Sequence, residues 1–327
     1  MKLSLDTVSY CGYFTGEESI PLEEAMKRAA QFGYDAIDVF AHRPMAFPLD
    51  LSADRRKQIA DLAQSLDLEL AAVECCTNFM LPNHVLVFSQ EKEILYVKEA
   101  CKLAQDLGIK VVRVLAGFIG YFMNEYALTG YGNPAFQSRS RAVSTNDDWL
   151  EQWAYVRAGL KEVASIAQDY GITLALQNHP EITNNTDETL EMIEEVGMDN
   201  LKVGLDLPLF ESQDDIFVRN TVLKVGDKMA HSHSISITTK ATVGGAAFGW
   251  DEVVPGDEKD NCNWEVFLKT CKEIGYKGYL AYEQCSPIIV KGHKKAGLDE
   301  VDKRNKAQIE FMKPLLQRLD YYTGKKK

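Results

Sequence analysis

Short apolar runs alternate along the chain with longer stretches whose apolar residues recur every three or four positions. The runs over Lys2–Tyr10, Asp35–Phe40, Leu68–Glu74, Lys110–Leu115, Ile172–Gln177, Leu201–Asp206, Lys228–Ile235 and Gly278–Glu283 read as strands. Between them the spacing predicts helices. The first, Pro21–Gly33, opens on Pro and closes on Gly, and the second runs from Ser52 to about Leu66. The others are Ser89–Gly108, Asp148–Tyr170, Thr186–Gly197, a less regular one over Leu209–Gly226, Asn263–Gly275 and Leu298–Tyr321. Eight strands alternating with eight helices predict a parallel sheet closed on itself. The expected fold is therefore α/β, a single-domain (β/α)8 TIM barrel, and 327 residues suffice for it.

Two stretches break the rhythm. Residues 117–147 show no helical period and are rich in aromatics, among them Phe118, Tyr121, Phe122, Tyr126, Tyr131 and Phe136. So long a connection in a compact domain is usually functional, and disordered segments are poor in aromatics. A lid or substrate wall is expected, with a surface excursion or an oligomer contact as alternatives. Thr238–Asn261 is the second long connection, with Gly244-Gly245 and Pro255-Gly256.

Four consecutive strands close on residues that can bind a metal: Gln177, Asp206, His231 or His233, and Glu283. In a closed barrel the carboxyl ends of the strands converge on one mouth, where catalytic groups sit. Amide, carboxylate and imidazole donors suit manganese first, with magnesium, zinc or cobalt as alternatives, rather than a thiolate-seeking ion. Side chains alternate along a strand, so His231 and His233 share a face. His233 is the expected imidazole ligand, with His231 one layer deeper. His179 is the expected proton-transfer group, because imidazole titrates near neutrality. Glu74 and Glu283 are further candidate bases. Arg113, His231 and Asn78 are candidate substrate contacts; Arg113 suits a carboxylate or phosphate, or pairs structurally with Glu74. His42, His84 and His293 stand alone and read as surface or loop residues.

Composition narrows the classes. Net charge is −12, which disfavours a nucleic-acid partner. No apolar run reaches the roughly 20 residues needed to span a bilayer, and the first residues lack the apolar core of a signal peptide. Seven cysteines without regular spacing fit reduced thiols and a cytoplasmic location. Cys75 and Cys76 are adjacent, so if one faces the barrel interior the other faces away.

The chain resembles the sugar phosphate isomerase/epimerase family, the xylose isomerase-like barrels that also include endonuclease-four-type AP endonucleases. The resemblance rests on Gly171-Ile-Thr-Leu-Ala-Leu-Gln-Asn-His179, the His-x-His of strand seven, Val254-Pro-Gly256, Asn263-Trp-Glu-x-Phe, and Ile274 through Glu283. By resemblance, Gln177, Asp206, His233 and Glu283 match the four ligands of one divalent metal. It implies a keto-sugar isomerase or epimerase working by proton abstraction beside the carbonyl. Three positions depart from the family. Gln177 stands where Glu is common, which removes one of two exchanging bases and leaves His179 to replace it. Ile235-Ser236 replaces a frequent Lys-Asp, and Leu209 replaces the His of nuclease relatives. The lost Glu and the aromatic insertion also resemble C-glycoside deglycosidase catalytic subunits, which implies a lyase on 3-oxo-glycosides with a small β-rich partner subunit. A non-catalytic metal-stabilised binding subunit and a homo-oligomer are the remaining expectations.

Overall fold

A computed structural model describes residues 1–15, 18–80, 90–117, 146–179, 182–183, 185–238, 251–258, 260–285, 289–290 and 294–325. Eight parallel strands form its centre: β1 Lys2–Asp6, β2 Ala36–Phe40, β3 Glu69–Glu74, β4 Val111–Val114, β5 Thr173–Gln177, β6 Leu201–Gly204, β7 Met229–His231 and β8 Tyr279–Tyr282. Each hydrogen-bonds to its sequence neighbour, and β8 pairs in parallel with β1. A parallel bridge between His233 and Ala281 joins β7 to β8 and closes the barrel. That seam is held by Ser234 N–H donating to the Ala281 carbonyl at 2.7 Å and by Ala281 N–H donating to the Ser232 carbonyl at 2.9 Å.

Helices α1 Leu22–Phe32, α2 Ala53–Ser65, α3 Gln90–Leu107, α4 Asn146–Asp169, α5 Thr186–Val196, α6 Asp215–Val225, α7 Trp264–Glu273 and α8 Leu298–Arg318 follow the strands. Their starts are chemically marked. Ser52, Asn185, Asp214 and Asn263 each accept a backbone N–H three residues on, a donor the helix itself cannot satisfy. Apolar strand residues such as Leu3, Ile37, Val73, Val112, Leu174 and Leu280 are fully buried in the one continuous core.

The sequence-derived elements are the observed ones, with shifted edges. β1 stops at Asp6, because its carboxylate accepts the Val8 N–H and turns Thr7–Tyr10 into a 3-10 helix. β7 covers only three residues, since the ladder to β6 is irregular there. α6 begins at its Asp214 cap, after a 3-10 turn over Leu207–Leu209. Ser89, most of the 117–147 insertion, residues 239–250 of the second long connection, His84 and His293 lie outside the described residues. Ser236–Thr238 and Asp251–Val253, at the two ends of that connection, pair as an antiparallel ribbon.

The side chain of Asn178 ties the ends of β5 and β6 together. It accepts the Asp206 N–H at 2.8 Å and donates to the Asp206 carbonyl at 3.3 Å, fully buried. Asn178→Ala leaves both groups without partners, at a cost of about 1–3 kcal/mol. A lowered urea midpoint checks this; an unchanged midpoint means that Asp206 is fixed by other contacts.

Candidate active site

The barrel interior at the carboxyl ends of the strands is polar and almost fully closed. Asp6 ends β1, Asp38 lies in β2, Glu74 ends β3, Arg113 lies in β4, Gln177 ends β5 and His231 ends β7. Asp206, His233 and Glu283 stand just past β6, β7 and β8. All nine are buried, Glu283 at 7 % being the most exposed. Register accounts for several neighbours: Asp6 pairs with Asp38, Glu74 with Arg113, Gln177 with Gly204, and Gly204 with His231. Gly204 leaves no side chain between its neighbours, and a Cβ there would lie 3.3 Å from the Gln177 Cα.

Two sets of donor atoms meet in this space. In the outer set, one atom each from Asp206, His233 and Glu283 lie within 4.8 Å of one another. His233 Nδ1 is 3.1 Å from Asp206 Oδ2, and the His233 backbone N–H donates to Asp206 Oδ1 at 2.7 Å. The Gln177 amide donates to Asp206 Oδ2. The structure thus brings together Gln177, Asp206, His233 and Glu283. In the inner set, Asp38, Glu74, His231 and His233 converge within the same distance. His231 Nε2 is 2.6 Å from Asp38 Oδ2 and 3.4 Å from Glu74 Oε1. The shorter contact lacks hydrogen-bond alignment, and both of its atoms are buried without a hydrogen-bond partner.

Arg113 lies between the two sets. Its Nε donates to Glu74, and Nη2 is 3.3 Å from Glu283 Oε1. At 2 % exposure it faces carboxylates of the protein. Asp6 and Asp38 are not singled out by sequence reasoning. The available signal was an acid within the otherwise apolar run Ala36–Phe40, and another at the end of β1.

Electrostatics follow from this crowding. Burial raises the Glu283 carboxyl, and the Asp206 and Glu74 charges add to this against His233 and Arg113. Burial, then Glu74 and Glu283, hold Asp6 well above the usual range. Burial opposes ionisation of Glu74 too, but Arg113 and His233 prevail and hold its carboxyl low. Burial opposes protonation of His233, yet Asp206, Glu283 and Glu74 together raise it well above the ordinary value. The pocket concentrates negative charge, and an imidazole there takes up a proton for want of other positive charge. A divalent cation fits this donor set: two carboxylates, one imidazole and one amide converge.

His179 follows β5 by two residues and is half-buried, outside either donor set. Asn78 is half-buried beyond β3, where its Oδ1 accepts the Met80 N–H at 3.2 Å. Cys75 is buried and Cys76 exposed, both just past the end of β3, and the Cys76 Sγ lies 3.9 Å from Arg113 Nη1. His42 is half-buried among aromatic rings, 4.7 Å from Phe40 and 5.1 Å from Tyr96 between centroids. Its Nε2 accepts the Cys76 N–H at 3.1 Å, so the sequence reading of a simple surface or loop residue is incomplete.

Burial and the Arg113 charge push His42 down to about 4 from 6.5. The unfolded chain therefore binds the proton first. Stability is full above pH 6.5 and is lost as pH falls toward 4. Urea midpoints between pH 7 and 4.5 should decline, and His42→Gln, which keeps an acceptor for Cys76, should flatten that decline above pH 4.5. An equal slope in the variant assigns the loss elsewhere.

Comparison with known proteins adds three findings. The family model described as xylose isomerase-like TIM barrel matches residues 26–315. Fructoselysine 3-epimerase of Escherichia coli O157:H7 is 22% identical over 281 residues, 83% of this chain and 89% of that protein. Among solved structures, the IOLI protein with a bound zinc atom superposes with a TM-score of 0.69 at 18% identity, covering 98% of this chain and 99% of that one. D-psicose 3-epimerase from Clostridium cellulolyticum H10, solved with D-tagatose, gives 0.66 at 15% identity, covering 97% and 99%.

Proposed function

The chain belongs to the xylose isomerase-like TIM barrel family, and on that premise we propose that it is a divalent-metal-dependent isomerase or epimerase of keto-sugars. The observation that carries this reading is the convergence of Asp206, His233 and Glu283 at the barrel mouth, with Gln177 hydrogen-bonded to Asp206. An epimerase of a sugar derivative is similar over most of the chain, and a sugar epimerase shares the fold. A bound divalent ion supplies electrophilic stabilisation of the negative charge that grows on a carbonyl oxygen when the adjacent carbon loses its proton. Manganese is the ion we assign first, and the bound zinc of a fold relative makes zinc the main alternative.

The protein's own groups divide the remaining work. Glu283 is the most exposed of the buried acids, and its carboxyl is raised, which suits a base that must also return a proton. Arg113 holds one of its oxygens and so fixes the direction of the other. Asp206 orients His233 through both its backbone N–H and its ring. Gln177 can orient and ligate but cannot exchange a proton, so a second acid-base group must come from elsewhere. His179, two residues further on, is the residue we assign to that task, with Glu74 held as an ionised neighbour of Arg113. Where the returning proton lands decides isomerisation or epimerisation. If a β-substituent departs from the same carbanion, the outcome is elimination, which the loss of one carboxylate base favours.

Incubation with ketohexoses in deuterated water tests the reading. Solvent deuterium should enter the carbon beside the carbonyl, and Glu283→Gln should slow this by about 10²-fold or more. No incorporation with any keto-sugar, metal present, would leave a binding protein. Asp206→Ala should release the ion, as read by elemental analysis; full retention would remove the ligand assignment.

A further inference from the structure

Beneath the mouth, four buried atoms remain unsatisfied: Asp38 Oδ2, Glu74 Oε1, His231 Nε2 and His233 Nε2. They come from three different strand regions and lie in one place. Each residue is fully or almost fully buried, at 1 % exposure or less. A buried polar atom without a partner is costly, and four directed into one space are not a random shortfall. The contact between His231 Nε2 and Asp38 Oδ2 is 2.6 Å without hydrogen-bond alignment, a spacing that ligands of a common ion can adopt.

Charge points the same way. Asp38 and Glu74 lie in the inner set and Asp206 and Glu283 in the outer one, and among the described residues Arg113 is the guanidinium that pairs with them, through Glu74 and Glu283. One dication at the mouth together with Arg113 still leaves negative charge in excess, before Asp6 is considered. We propose a second divalent-cation site below the mouth, held by Asp38, Glu74 and His231, with His233 Nε2 as the fourth donor. Two nitrogens and two carboxylate oxygens in a closed set suit zinc, or cobalt as its probe, in a structural role. His233 then stands between the two centres, Nδ1 toward Asp206 and Nε2 toward Glu74. With both sites filled through this ring, its N–H proton passes to solvent and the imidazolate bridges the ions. The inner ion fixes Glu74, which anchors Arg113, which in turn touches Glu283. This site is independent of the proposed mouth site in its defining residues Asp38 and His231.

The test is metal stoichiometry. The full-length chain is stripped with chelator, reloaded with Zn²⁺, desalted and measured by elemental analysis. Two ions per chain are expected for the wild type, and one each for Asp38→Asn, His231→Gln and Asp206→Ala. A wild-type content of one ion, unaltered by Asp38→Asn but lost in Asp206→Ala, overturns the inner site and leaves the mouth site standing. One ion lost in Asp38→Asn while Asp206→Ala keeps the full content supports the inner site and removes the mouth site. If the variants do not fold, X-ray absorption on wild-type protein loaded with Co²⁺ decides. Two imidazole-bearing ion environments support the proposal, and a single one overturns it.

Discussion

The interior of this barrel is organised by a surplus of buried negative charge. Five carboxylates, Asp6, Asp38, Glu74, Asp206 and Glu283, are buried there, and among the described residues one guanidinium, Arg113, pairs with two of them. Isolated carboxylates do not survive burial; they are paired, protonated or bound to metal. The first two of these responses are visible here. Arg113 pairs with Glu74 and Glu283, Asp6 is driven toward its protonated form, and His233 is driven to take up charge. The protein tolerates this tension because the surrounding sheet is continuous and the apolar core outside it is large. The same tension lines the mouth with strong acceptors, which is the basis of the cation site proposed there.

The single change from carboxylate to amide at Gln177 has effects beyond the loss of one charge. An amide can present oxygen to an ion and nitrogen to Asp206 at the same time, so it orients its neighbour where a second carboxylate would repel it. The site keeps its geometry and loses its symmetry as an acid-base pair. In the proposed reaction the two sides of a substrate would therefore meet different chemistry, a basic carboxylate from β8 and a neutral amide from β5.

The architecture was legible because period and punctuation agree: each strand run is apolar and short, and most helices are capped by Ser, Asn or Asp or closed by Gly. The mouth residues were legible because strand ends are marked by the turn from apolar to polar, and Gln177, Asp206, His233 and Glu283 all fall there. Asp38 was missed because it sits within a strand and not at its end. One polar residue among apolar neighbours has the pattern of an ordinary half-buried strand, and only the closed geometry shows that its face is the crowded interior. Only one of the two neighbours of Arg113 was hidden. Its pairing with Glu74 follows from adjacent strands, but its reach to Glu283 joins β4 to β8 across the barrel, a separation no local pattern encodes. His42 was underestimated for a similar reason: its partner, the Cys76 amide, lies on the next loop.

The seam between β7 and β8 runs through residues that also do chemistry. His233 supplies a ring nitrogen to the donor sets, and its backbone makes the bridge to Ala281 that shuts the cylinder. With β7 reduced to three residues, this short stretch is a latch and, on the proposed function, a ligand as well. Release of the proposed ion and local parting of the two strands would then be coupled events. The lifetime of that ion would follow a breathing motion confined to one edge of the fold, well short of global unfolding.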